Sequence, residues 1–209
     1  MNRDPQTTEE ADLTEIGALL APAYRTLGQL YLEPPAEPTV DAIRTWCERV
    51  TDGSLPPDIE EAVDTIGTAE TDPDTLRSAF TRLLQGVSYG ESTPPPYESM
   101  YVDEMLNGPS TTEVEAFYFE MGVDLAVEDE LIDHAGYELS FLAELCERGD
   151  REAQLGFIRT HLGDWLPEFH EVAMDERGGG EPPAFYRGVF SLTESLLELH
   201  AEMLEEDDD

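Results

Sequence analysis

Asp133, His134 and Glu138 are the residues of this chain whose types and spacing could do chemistry. On a helix, His134 and Glu138 lie four apart and share one face, beside an apolar stripe of Leu131, Ala135, Leu142 and Leu145. Ionisable groups at the edge of such a stripe need a partner or a purpose. Asp133 is placed to be the N-cap, accepting hydrogen bonds from the first free backbone N–H groups. The plain expectation is a capped helix over residues 130–148 with a surface ion pair worth about 0.2–0.5 kcal/mol.

A sharper chemistry starts from Asp129, Glu130 and Asp133. Acids at i, i+1 and i+4 can hold Mg²⁺ against a diphosphate, as in small all-helical enzymes acting on such substrates. That site needs a second acidic motif on a facing helix, and 48 acids make the pattern common by chance. Other chemistries are closed. The chain has no lysine, so neither a Walker A loop nor a Schiff base can form. No HExxH or GxGxxG occurs. His134, His161, His170 and His200 show no Glu-x-x-His spacing, so a di-iron bundle is unsupported. His161, four residues before Trp165, reads as a packed core histidine. Cys47 and Cys146 are too far apart in sequence for a CxxC site, and imply neither zinc nor a disulfide framework. No metal or cofactor is expected.

The 48 acids face 11 basic residues, all arginine, for a formal net charge of −37. A compact body so charged repels itself in dilute buffer. With 40% hydrophobic residues the chain is not composed like a disordered one. The composition instead suits a very salty cytoplasm, such as that of a halophilic archaeon. There the Debye length falls to about 3 Å at about 1 M salt. Scattered arginines leave no basic patch for nucleic acid, whereas a basic peptide partner is compatible. The N-terminus lacks an apolar signal region and no apolar run approaches membrane length, so a cytoplasmic chain without stable membrane insertion is expected.

The elements that must position these residues read as helices throughout: 12–32, with Pro22 predicting a kink or break, then 41–50, 58–67 and 74–84. Residues 86–96 have no period and end in three prolines, which favour an extended path. A short helix from Tyr97, one from Thr111 or Thr112 to Met121, and the helix 130–148 closed by Gly149 follow. The next helix carries Leu155 to Trp165, Pro167 restarts another, Gly178 to Gly180 link, and 183–204 is the last. The expectation is all-α: a single compact domain over 1–209 with about ten helices in two halves, about 8–86 and 97–204. A proline-containing loop, 87–96, joins them, and 205–209 is an acidic tail.

Three segments then carry a resemblance. Pro94-Pro95-Pro96-Tyr97-Glu98-Ser99-Met100-Tyr101 resembles the PPYESVY-like signature of the TorD/DmsD/NarJ family. Asp133-His134 with Glu138-Leu139 and Phe141 resembles its P-x-D-H-x-x-x-E-L-x-F-M segment. His161-Leu162-x-x-Trp165-x-Pro167-x-Phe169 is similar to its HL-x-x-W-x-P-x-F segment. Order and spacing agree over most of the chain. Leu131-Ile132 stands where the family carries a proline before Asp-His, and Leu142 where it carries Met.

The resemblance implies a redox-enzyme maturation chaperone with no reaction of its own. Such a protein binds the leader peptide and apo-form of a molybdopterin oxidoreductase of the dimethyl-sulfoxide reductase type. It assists cofactor insertion and proofreads before twin-arginine export. A twin-arginine leader offers two guanidinium groups and then an apolar segment, matching a groove floored by aromatics and rimmed by carboxylates. The expected peptide-binding residues are Tyr97, Glu98, Tyr101, Asp133, His134 and Glu138, with Asp133 or Glu138 receiving an arginine. The partner is the apo-enzyme's catalytic subunit with its leader, and the chain itself is expected to be a monomer or a homodimer.

Overall fold

A computed structural model describes residues 5–51, 55–85, 94–123, 131–175 and 181–206, with the backbone alone for 5–18. The described residues form helices and one isolated antiparallel bridge, without a strand. α1 (Pro5–Leu32) is followed by α2 (Glu37–Val50), α3 (Pro57–Thr68) and α4 (Pro73–Leu83). Then come α5 (Glu98–Val102), α6 (Pro109–Glu120), α7 (Ala135–Arg148) and α8 (Arg151–Phe157). α8 runs through a π-helical turn, Ile158–Leu162, into α9 (Gly163–Met174), and α10 (Ala184–Glu206) closes the order.

Proline marks the starts. α3, α4 and α6 each begin on one, where the missing N–H costs least, and Asp72 caps α4 by accepting from Thr75 N at 2.9 Å. Inside α1 the expected break does not occur, because Pro22 neither ends nor divides the helix. An interior proline costs about 3 kcal/mol. Buried Leu20, Ala21, Ala23, Tyr24, Leu27, Leu30 and Tyr31 surround it, and that burial outweighs the lost hydrogen bond. The helix 130–148 is also corrected: α7 starts at Ala135, and residues 124–130 lie outside those described. Of the expected linking loop, 87–93 lie outside them as well, as do the glycines 178–180 and residues 207–209 of the acidic tail.

The two halves of the sequence share one core. α1 packs along α7, and α3 along α10. The first crossing is set by glycines: a Cβ at Gly136 would stand 2.4 Å from Leu32 Cγ, and one at Gly28 would stand 2.7 Å from Gly136 O. At the second, a Cβ on Gly188 would meet Ile66 Cγ1 at 2.8 Å. Two tyrosine–histidine contacts pin α1 to the C-terminal helices. The Tyr24 hydroxyl lies 3.2 Å from His200 Nδ1, and the Tyr31 hydroxyl 2.5 Å from His170 Nε2. Cys47 and Cys146 are free and buried. No helix among the described residues is long and apolar enough to cross a membrane.

Candidate functional site

The proline segment and the residues before α7 meet as one antiparallel bridge between Tyr97 and His134. Glu98 N donates to Asp133 O at 2.8 Å, and Ala135 N to Pro96 O at 2.9 Å. Neither bond calls on an N–H from the prolines, which have none to offer: Pro96 takes part through its carbonyl. The Tyr97 ring stands edge-on to His134 at 4.9 Å.

His134, not Asp133, is the N-cap of α7: its Nδ1 accepts from Gly136 N at 3.0 Å. Burial pushes its pKa down to about 3, so the ring is neutral and makes no surface ion pair with Glu138. Asp133 faces the other way. Its Oδ2 accepts from Ser99 N and from Thr111 Oγ1, both at 3.0 Å, joining the first turns of α5 and α6. Two helix N-termini converging on one carboxylate place it where the helix dipoles favour negative charge. Its Oδ1 has no hydrogen-bond partner.

Glu138, in the first turn of α7, is fully buried. Its Oε2 accepts from Trp165 Nε1 at 3.3 Å, while Oε1 has no hydrogen-bond partner. Burial, reinforced by the Glu98 and Asp133 carboxylates, holds its pKa well above the usual carboxylate range. Glu98 is raised too, mainly by burial, although His161 opposes the shift. Its carboxyl group lies 3.1 and 3.3 Å from His161 Nδ1, on the π-helical turn. Such turns gather at functional positions. Three carboxyl groups in one dry space cannot all be ionised cheaply, so the cluster retains a proton that isolated carboxylates would have lost.

Tyr101 closes the site outward. Its ring stacks on Trp165 at 5.6 Å and meets Phe169 edge-on at 5.9 Å, and its hydroxyl donates to Pro94 O at 2.9 Å. Burial raises its pKa, and the exposed Glu168 carboxylate adds to the shift.

All six residues named from the sequence are therefore brought together. Tyr97 and Tyr101 are half-buried; Glu98, Asp133, His134 and Glu138 are buried. The four form a support beneath the tyrosines rather than an open rim. The sequence reading missed Thr111, His161, Trp165 and Glu168. For His161 and Trp165 the signal was present, since their i, i+4 spacing places both on one face. Of the alternative Mg²⁺ set, Asp129 and Glu130 lie outside the described residues, and Asp133 is committed to Ser99 and Thr111.

The chain is similar to several known proteins. A family model for the nitrate reductase delta subunit matches residues 52–171, more than half of the chain. The chaperone protein TorD of Shewanella pealeana is 24% identical, covering 98% of each chain. The Tat proofreading chaperone DmsD of Salmonella typhi is 28% identical over 83% of this chain and 84% of its own. A candidate redox enzyme maturation protein from Archaeoglobus fulgidus, known as a crystal structure, superposes with a TM-score of 0.54. At 18% identity over 88% of this chain and 93% of its own, that likeness shows the fold. The chain belongs to the nitrate reductase delta subunit family, the family of the TorD, DmsD and NarJ maturation chaperones.

Proposed function

We propose that the chain binds the leader peptide and apo-form of a molybdopterin-containing oxidoreductase, assisting cofactor insertion and proofreading before twin-arginine export. It does so in the cytoplasm, in molar salt, as a chaperone without a reaction of its own. The observation that carries this reading is the family match, together with the meeting of all three motif segments at one place. The proline-tyrosine segment, Asp133-His134-Glu138 and His161-Trp165 join there beneath two half-exposed tyrosines.

The division of labour follows from burial. Tyr97 and Tyr101 offer aromatic surface to the peptide, and exposed Glu168 beside Tyr101 offers a carboxylate to an arginine. Glu98, Asp133, His134 and Glu138 hold those contacts in place. Titration of the full-length protein with a synthetic twin-arginine leader in molar potassium chloride tests this. The leader binds, replacing both arginines with glutamine weakens it by about tenfold or more, and Glu168→Gln weakens it without moving the melting midpoint. Equal binding of the arginine and glutamine peptides would sink the reading.

A further inference from the structure

Six large apolar side chains among the described residues are exposed; Leu19, Phe119 and Val172 stand apart on separate helices, while the other three fall together at the junction of α5 and α6. Val102, the last residue of α5, and Met105 and Leu106, in the loop before α6, are 54%, 53% and 52% exposed. Exposed apolar residues scattered singly mean little, but three within five positions make a patch.

The loop is not slack. Glu104 and Asn107, flanking Met105-Leu106, hold left-handed backbone at φ 54° and 59°. Non-glycine residues there cost of order 1–3 kcal/mol and persist only where the surroundings enforce them. Here the surroundings do. Met105 N donates to Ser99 O at 3.1 Å, Asn107 N to Ser99 Oγ at 3.1 Å, and Ser110 N and Oγ to Asp103 Oδ2 at 2.9 and 2.7 Å. A Cβ on Gly108 would stand 2.3 Å from that same Asp103 Oδ2, so the loop closes tightly on itself. Through Ser99 N and Thr111 Oγ1 both ends of the loop are tied to Asp133. Backbone held in strain to display oily side chains is pre-organised, so little ordering entropy remains to be lost on binding.

Charge indicates what covers it. From residue 83 to residue 147 the chain carries fifteen acids and no basic residue. Glu104, within the loop, and Glu113 and Glu115, on the following helix, are exposed. A second copy of this chain would bring the same negative charge to the contact. A segment that adjoins arginines or lysines would bring the opposite one.

We propose that Val102, Met105 and Leu106 form a docking surface for an apolar run flanked by arginine or lysine in the partner chain, separate from the Tyr97–Tyr101 contact. The assignment rests on the chaperone reading above. Two probe peptides separate the two claims in titrations of the full-length protein in molar potassium chloride. One carries paired arginines followed by a leucine-rich run, the other paired arginines followed by serines. Wild type binds the leucine peptide more tightly than the serine peptide. Met105→Ser with Leu106→Ser weakens the leucine peptide about tenfold, leaves the serine peptide unchanged, and keeps the wild-type melting midpoint.

If the double variant folds and binds the leucine peptide as wild type does, the docking surface is refuted while the chaperone reading stands. Wild type binding neither peptide refutes both. A wild-type dimer that the double variant turns into a monomer, seen by sedimentation, assigns the loop to self-association and overturns the proposal.

Discussion

Two buried polar regions of this molecule solve the same problem in opposite ways. Where α1 meets α9 and α10, Tyr24 contacts His200 and Tyr31 contacts His170. The second nitrogen of each ring is also engaged, by Gln154 Oε1 at 3.0 Å for His200 and by Glu194 Oε1 at 2.6 Å for His170. Where α5, α7 and the π-helical turn meet, Glu98, Asp133, Glu138 and His161 crowd together, and two carboxyl oxygens have no hydrogen-bond partner. In the first region both nitrogens of each histidine ring are engaged, so it acts as a fastening. The second stores cost, because a buried polar atom without a partner forfeits about 1–3 kcal/mol. Strain of that kind persists where the arrangement serves something other than stability, and here it lies directly beneath the tyrosines proposed to meet the client.

The largest effect expected is from Asp133→Ala. It strips Ser99 N and Thr111 Oγ1 of their shared acceptor and loosens α5 from α6, for a loss of about 3–4 kcal/mol in urea unfolding at molar salt. A loss below about 1 kcal/mol would mean that the cluster is not the joint described.

Next comes pH, where the regions should diverge in sign. Burial lowers His170 and takes His200 to about 4, from an ordinary value of 6.5. A histidine depressed in the fold contributes stability above about 6.5 that is lost as pH falls toward the folded value. For His200 that loss reaches about 3 kcal/mol. His134, taken to about 3, adds to the same acid-side loss. Glu98 and Glu138 are raised in the fold, so their contribution is complete below the ordinary carboxylate value of 4.5 and drains away as pH rises through their folded values. Glu138→Gln keeps the shape and removes the titration. The variant should gain about 1 kcal/mol over wild type near neutral pH, while the acid-side loss at the histidines stays unchanged. A wild-type slope surviving in Glu138→Gln would show that the alkaline loss arises elsewhere.

The smallest effect is Tyr31→Phe, which removes one hydroxyl from His170 and leaves the ring packing against Phe169 and Phe190. About 1 kcal/mol is expected from thermal melts, at acid and neutral pH alike.

Much of this was legible beforehand. The helices announced themselves by period, and the six site residues do converge. The capping of α7 was not legible: aspartate is the commoner cap, yet Asp133 is drawn to partners 34 and 22 positions away, and His134 takes its place. Pro22 reads as a kink or a break because local cost is all a sequence window sees, and the break does not occur. The left-handed Glu104 carries no local signal, whereas Asn107 is of a type that tolerates that region.

By itself, then, the sequence determined that the chain is helical, that it is strongly acidic, and that lysine chemistry is impossible. It also determined which three segments belong together. Periodicity, net charge and missing residue types are properties of the chain alone. The tertiary structure decided which side of the protein surface each charge occupies. It placed the carboxylates inside and the tyrosines half out, and moved the exposed apolar contacts to a loop the motifs do not mention. Burial is set by neighbours distant in sequence, and burial determines whether a carboxyl group receives an arginine or holds a proton.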